Sequence, residues 1–214
     1  EPLYTNRRDL VEKYPTYEDR YRMQGLLALA YLRAGDKARA LPMLAEVIKH
    51  DAVSNSFADV YVRENGTEPE QVAATERVLR NALSANPRDG HYLRYLLGFR
   101  IYRDRLKDDA RVRPVFRELI AQSPHDSYAR EALEWLLDNS LTDSEFRADV
   151  TRYITSRKEN LHFSGYHRYL SDWVTKARQR EGFRDKARIA AAELKTANND
   201  VITGLWLKYY FQDT

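Results

Sequence analysis

Residues 25–52 decide the fold, and they read GLLALAYLRAGDKARALPMLAEVIKHDA. Apolar side chains recur every three or four positions before Gly35 and do so again after it, which is the spacing of one face of an α-helix. Gly35 and Asp36 interrupt this pattern and mark a turn. The stretch therefore predicts two amphipathic helices joined by a short connection.

Helical spacing extends over most of the 214 residues. Thr-x-x-Glu at residues 67–70 and 142–145 has the form of a capping box and predicts two helix starts. Pro87 and Pro124 predict helix ends, because proline cannot continue a helix. No stretch combines strand periodicity with a hairpin turn. The sequence therefore predicts an all-α protein of roughly a dozen helices.

The prolines recur at regular intervals. Pro87 and Pro124, which each end a predicted helix, are 37 residues apart. Pro42 and Pro114, which each follow a predicted helix start by about one turn, are 72 residues apart, or two units of 36. Repeats of 20–50 residues are the signature of helical arrays. We therefore expect a stack of helix pairs.

Residues 25–52 resemble a tetratricopeptide repeat (TPR), and Ala-Leu-Pro at residues 40–42 is frequent in bacterial members of that family. The resemblance implies an all-α, right-handed solenoid of about five TPR-like helix-turn-helix units with flanking N- and C-terminal helices. It covers most of the chain and is most complete in the first unit and then in the third; the fourth unit lacks the turn signature. The residues that carry it are Leu27, Ala28, Tyr31, Gly35, Asp36, Ala40 and Leu44.

The resemblance implies a single solenoid domain over residues 1–214. We expect a capping helix at 200–212, where Trp206, Leu207 and Phe211 would cover the apolar face of the last unit. The chain starts at Glu1 instead of Met, so we expect a processed product or a fragment of a longer protein. The implied units are residues 21–54, 55–89, 90–126, 127–164 and 165–199.

Catalytic signatures are missing from the sequence. Zero Cys excludes disulfides, thiolate metal sites and a cysteine nucleophile. There is no phosphate-binding glycine loop, HExxH or GxSxG. His162 and His167 could approach each other, but no third ligand accompanies them. We expect no enzyme activity, no cofactor and no metal.

The longest apolar run, residues 26–32, is far shorter than the roughly 20 residues that a membrane-spanning helix needs. We therefore expect a soluble protein without a membrane span. The compartment, exported (periplasmic) or cytoplasmic, and the oligomeric state stay open.

Charge alternates along the chain, although the total is only +3. Residues 100–117 are net basic, residues 118–146 net acidic and residues 147–188 net basic. A protein that binds nucleic acid is expected to carry a continuous basic stripe. The acidic segment interrupts such a stripe, so the sequence argues against nucleic acid as a partner.

In TPR arrays the first helix of each pair lines a concave surface that holds the partner. The resemblance therefore predicts a scaffold or adaptor that binds a peptide or a partner domain of another protein there. A subset of the family clamps chaperone tails through Lys, Asn and Arg, but Gly25 and Leu29 occupy the matching positions here. The predicted contact residues are Arg22, Leu29, Arg33, Tyr92, Tyr95, Phe99, Tyr102, Arg103, Tyr169, Asp172, Lys176 and Arg180.

Three alternatives stand beside this prediction. The aromatic stripe of residues 92–102 could be core instead of groove. The many arginines could serve ion pairs between repeats, since guanidinium groups pair with carboxylates in bidentate geometry. An anionic polymer, nucleic acid or polysaccharide, could bind along Arg/Tyr surfaces. That alternative would rest on Arg100, Arg103, Arg178 and Arg180.

Overall fold

A computed structural model of the chain describes residues 17–50, 55–87, 90–158 and 168–197. In these ranges every regular element is a helix, and the predicted all-α class is confirmed. The predicted capping helix at 200–212, with Trp206, Leu207 and Phe211, lies outside the described residues. The helices are α1 (Tyr17–Arg33), α2 (Lys37–His50), α3 (Asn55–Glu64), α4 (Pro69–Ala85), α5 (His91–Tyr95), which continues directly into a π-helix (Leu96–Leu106), α6 (Asp109–Gln122), α7 (Ser127–Asp138), α8 (Asp143–Lys158), α9 (Arg168–Arg178) and α10 (Arg184–Ala197).

The turn within four of the five predicted units has a recurring backbone conformation. Gly35, Gly66 and Gly182 have φ angles of 80°, 90° and 77°, and Lys107 has a φ of 53°. Each of these residues lies between the first and the second helix of its pair. Glycine suits this left-handed conformation because it has no Cβ, whereas lysine is strained there. In the fourth unit the turn after α7 includes Asn139, whose φ is negative, −107°.

The chain divides into two compact units, Glu1–Val115 and Phe116–Thr214, with the boundary inside α6. In the N-terminal unit α2 packs against α1, α3 and α4, while α3 and α4 both pack against α5 and the π-helix. Gly25 permits a close approach of α1 and α3, because a Cβ there would overlap the ring of Phe57. The Asn86 side chain donates to the Lys49 carbonyl oxygen at 2.7 Å and links the ends of α4 and α2.

The C-terminal unit has a regular contact pattern. First helices α7 and α9 pack together, second helices α8 and α10 pack together, and each first helix contacts its own second helix. Trp173 of α9 is buried against Phe146 of α8, with ring centroids 5.5 Å apart. Its indole Nε1 donates to Asp138 Oδ1 at 2.9 Å. The buried polar atom of this large ring is thereby satisfied.

Both predicted capping boxes need correction. At residues 67–70 the N-cap is Glu68 and not Thr67, because Pro69 occupies the first helical position and has no N–H to bond. At the start of α8 the Thr142 hydroxyl accepts the Glu145 N–H at 3.1 Å, as predicted. The Glu145 carboxylate, however, accepts the N–H of residue 141 at 2.9 Å, one residue before the predicted partner.

No helix in the described part of the chain is long and apolar enough to cross a membrane.

Candidate binding surface

The predicted contact residues of α1 lie on its surface. Arg22 and Arg33 are exposed, and Leu29 is partly buried. Their spacings of seven and four residues place them on one side of the helix. Neither arginine forms an ion pair with another described residue. This side of α1 therefore presents two unneutralised guanidinium groups around an apolar side chain.

The aromatic stripe is mostly buried. Tyr92, Phe99 and Tyr102 are 8%, 3% and 0% exposed, and Tyr95 is partly buried. The rings of Tyr95 and Phe99 lie 4.8 Å apart. Arg103 covers the Phe99 ring, with its guanidinium carbon 4.4 Å from the centroid. In this arrangement three of the four rings offer almost no surface to a partner, and Tyr95 and Arg103 are only partly buried.

Tyr102 is the centre of a polar cluster inside the N-terminal unit. Its hydroxyl donates to Glu76 Oε1 at 3.0 Å, and that carboxylate also pairs with Arg80 at 2.8 Å and with Arg111. Burial raises the pKa of Glu76, but the hydrogen bonds from Arg80 and Tyr102 and the charge of Arg111 outweigh it and hold the pKa below its usual value. Burial and the bond to Glu76 raise the pKa of Tyr102. The cluster ties α4, the π-helix and α6 together.

The π-helix explains why Arg100 and Arg105 share one side, whereas the burial of the aromatic stripe agrees with the alternative that the stripe is core. The prediction assumed 3.6 residues per turn, which places residues five apart about 140° apart around the axis. In a π-helix the hydrogen bonds run from i to i+5, so residues five apart lie on the same side. Arg100 and Arg105 are five apart within Leu96–Leu106. Both line one pocket, while Phe99 and Tyr102 turn inward.

This pocket, which we call the arginine pocket, has a volume of about 360 Å³. It lies between α3 and the π-helix, which are the first helices of the second and third pairs. Its volume is in the range of pockets that hold small ligands or single side chains of a partner. Its walls are formed by Asp59, Val62, Arg63, Arg100, Asp104 and Arg105.

Sequence reasoning did not place the pocket's residues in the predicted site. The net basic charge of residues 100–117 was a signal for Arg100 and Arg105, but no sequence pattern showed that both face α3. No sequence pattern pointed to Asp59 or Arg63 as binding residues, and the predicted surface had no contact residue in the second unit.

In the C-terminal unit the predicted contact residues are tied to the neighbouring first helix. Lys176 of α9 pairs with Glu134 of α7 at 3.4 Å. Arg180 forms two bonds with Asp138 at 2.8 and 2.9 Å. The Tyr169 hydroxyl donates to the carbonyl oxygen of residue 125 at 3.2 Å.

Asp172, the other predicted residue of α9, lies 3.9 Å from Arg168. The cations of this surface are therefore already neutralised by carboxylates of the same unit. Its charged groups stabilise the α7–α9 packing and are less available to a partner than Arg22 and Arg33.

Among the described residues no group of three or more His, Asp or Glu side chains is arranged to hold a metal ion. His162 and His167, the candidate pair in the sequence, lie outside those residues.

Comparison with known proteins gives no match: no protein-family model, no curated protein and no solved structure is similar to the chain at a significant level.

Proposed function

We propose that the chain is a TPR-like adaptor that binds a peptide or a partner domain on the surface of its first helices. The support for TPR-like repeats is the recurring pair: four of the five turns contain a left-handed residue, and first helices stack on first helices and second on second within the C-terminal unit. Nearest-neighbour packing of this kind is the basis of helical solenoids.

The observation that carries the proposed binding role is the contrast between the two units. On and just after α9 the charged groups are paired with α7, whereas the first helices of the N-terminal unit present the arginine pocket together with Arg22 and Arg33, which form no ion pair with any other described residue. A binding site needs polar groups that do not already have partners within the protein. A new contact with a partner must stabilise the complex by more than the loss of the contact that it replaces costs. The proposed binding surface is therefore that of α1, α3 and the π-helix.

The proposal includes no catalytic step, cofactor or metal. The alternative function is binding of an anionic polymer along the arginines. The ion pairs of Lys176 and Arg180 argue against a continuous polymer site, since a cation already paired with a carboxylate is less available to neutralise a phosphate and release the polymer's counterions.

Site-specific crosslinking tests the proposal. A photoreactive amino acid would replace Leu29 on the first helix α1, and as the matched control it would replace Ala73, an exposed residue on the second helix α4. Irradiation in a nuclease-treated extract of the source cells should give discrete protein adducts at position 29 and not at position 73. Adducts at both positions, or only with nucleic acid before nuclease treatment, would contradict an adaptor role.

A further inference from the structure

The guanidinium of Arg105 is fixed in place but not neutralised. Its Nη1 donates to the Gly66 carbonyl oxygen at 2.9 Å and its Nη2 to the Val62 carbonyl oxygen at 2.5 Å. Carbonyl groups orient a guanidinium without cancelling its charge. No described carboxylate lies within ion-pair distance of Arg105. Two of its five N–H donors are thus occupied, and the rest of the planar group is free to donate.

Other charges around the arginine pocket leave a positive surplus. Asp104 is shared between Arg103 at 2.7 Å and Arg100 at 3.5 Å. Arg63 lies 3.2 Å from Glu64, a carboxylate that also pairs with Lys37 at 3.0 Å. Each of these carboxylates therefore serves two cations.

The surplus of positive charge around the pocket also affects the pKa of Arg105. Burial lowers the pKa of Arg105, and the neighbouring charge of Arg100 lowers it further. An anion in the pocket would relieve this repulsion. Bidentate bonds between a guanidinium and a carboxylate are among the strongest hydrogen bonds in proteins.

Asp59 limits which anion can enter. It is exposed on α3 at the wall of the pocket and has no ion-pair partner among the described residues. Its charge repels a second negative group beside the first. The pocket therefore fits one isolated carboxylate better than a run of phosphates or a polyacidic segment.

We propose that the arginine pocket binds the carboxylate of a single Asp or Glu side chain in a peptide segment of the partner, with Arg105 as the main donor and Arg100 as the second. This inference rests on the proposed adaptor function and adds the chemistry of the bound segment. The site exists because the π-helix brings Arg100 and Arg105 to one side. The arginine pocket does not include Gly25 and Leu29, which occupy the positions of the chaperone-tail clamp found in a subset of the TPR family.

A positional-scanning library of immobilised nonapeptides tests the proposal on the full chain. Wild type should select Asp or Glu at one position, and should select against a second acidic residue next to it. The best peptide and its Gln analogue are then compared by fluorescence anisotropy. We expect the acidic peptide to bind about tenfold more tightly, a ratio that corresponds to about 1.4 kcal/mol.

Three test variants and one control variant show whether the arginine pocket causes the acidic preference. Arg105→Gln should bring the ratio of the two affinities close to one, and Arg105→Lys should retain part of it because the charge remains. Asp59→Asn should permit a second acidic residue. Arg168→Gln is the matched control: this arginine is 75% exposed on α9, is far from α3 in sequence, and should leave the ratio unchanged. Circular dichroism would establish that each variant is folded.

Several results would overturn the inference. Peptides bound without any acidic preference would disprove the carboxylate site while leaving the adaptor function, which the crosslinks at position 29 test separately. A library with no bound peptide would also disprove it. An unchanged ratio in Arg105→Gln would mean that another group reads the carboxylate. Tighter binding of heparin or polyuridylate than of any peptide, lost in the same variant, would assign the pocket to a polymer.

Discussion

Arg117→Met should strongly destabilise the C-terminal unit. Arg117 of α6 bonds both carboxylate oxygens of Asp149 on α8, at 2.7 and 2.9 Å, and the Asp149 side chain is only 1% exposed. Removing one partner leaves a buried charge, which costs about 3–5 kcal/mol. Because Arg152 remains 2.6 Å from the same carboxylate, we take the lower end, about 3 kcal/mol.

Urea denaturation followed by tryptophan fluorescence measures this loss. The three tryptophans of the chain, Trp135, Trp173 and Trp206, all lie after Val115, so the signal reports on the C-terminal unit. With an m value of about 2 kcal/mol per molar, the midpoint should fall by about 1.5 M.

Arg147→Met is the control for the Arg117 experiment. Arg147 is on α8, as Asp149 is, but it pairs at 3.2 Å with Glu193 while 52% exposed, and exposed pairs contribute about 1 kcal/mol or less. Adding Asp149→Asn to Arg117→Met should recover part of the loss, since no buried carboxylate is then left uncompensated. A midpoint for Arg117→Met no lower than that of the control would refute the argument.

Three further predictions concern the N-terminal unit. Gly25→Ala should lower the free energy of unfolding by about 1–2 kcal/mol in urea denaturation because the added Cβ overlaps Phe57, and in a Phe57→Leu background the same change should become neutral or stabilising; an undiminished loss in that background would contradict the close approach. Glu76 has a lowered pKa on folding, so its contribution is complete above about pH 4.3 and is lost as pH falls through the folded pKa. The difference in unfolding free energy between wild type and Glu76→Gln should therefore shrink between about pH 6 and pH 3, and a constant difference would refute it. Lys107→Gly should raise the thermal midpoint by relieving the positive φ, a gain of about 0.5–1 kcal/mol that a lowered midpoint would disprove.

Local signals in the sequence were sufficient for the helix pairs. Gly35, predicted as a turn, has a positive φ, and α2 and α6 each contain a proline five residues after their first residue. These features depend on backbone sterics of one or two residues, which sequence reveals directly.

The π-helix was not predictable in the same way. Apolar spacing in residues 91–106 fits an α-helix, and nothing in it distinguishes i to i+5 from i to i+4 hydrogen bonds. The TPR resemblance placed Phe99 and Tyr102 in the groove, with the core as the alternative, and the structure buries both; the facing of Arg100 and Arg105 toward α3 had no signal in the spacing.

Ion-pair partners were also beyond the sequence. The alternation of charged segments was visible, but which carboxylate meets which arginine depends on helix packing. Arg117 and Asp149 are 32 residues apart, and Arg180 and Asp138 are 42 apart. Such pairs are set by tertiary structure, so composition could only suggest that they exist.

The π-helix has a consequence for the comparison of repeats. Each π turn contains about one more residue than an α turn, so residue number and angular position drift apart along Leu96–Leu106. Position numbers transferred from an α-helical repeat will therefore identify the wrong side of this helix beyond Leu96. An alignment that opens a gap inside the helix, where gaps are usually penalised most, would match equivalent sides correctly.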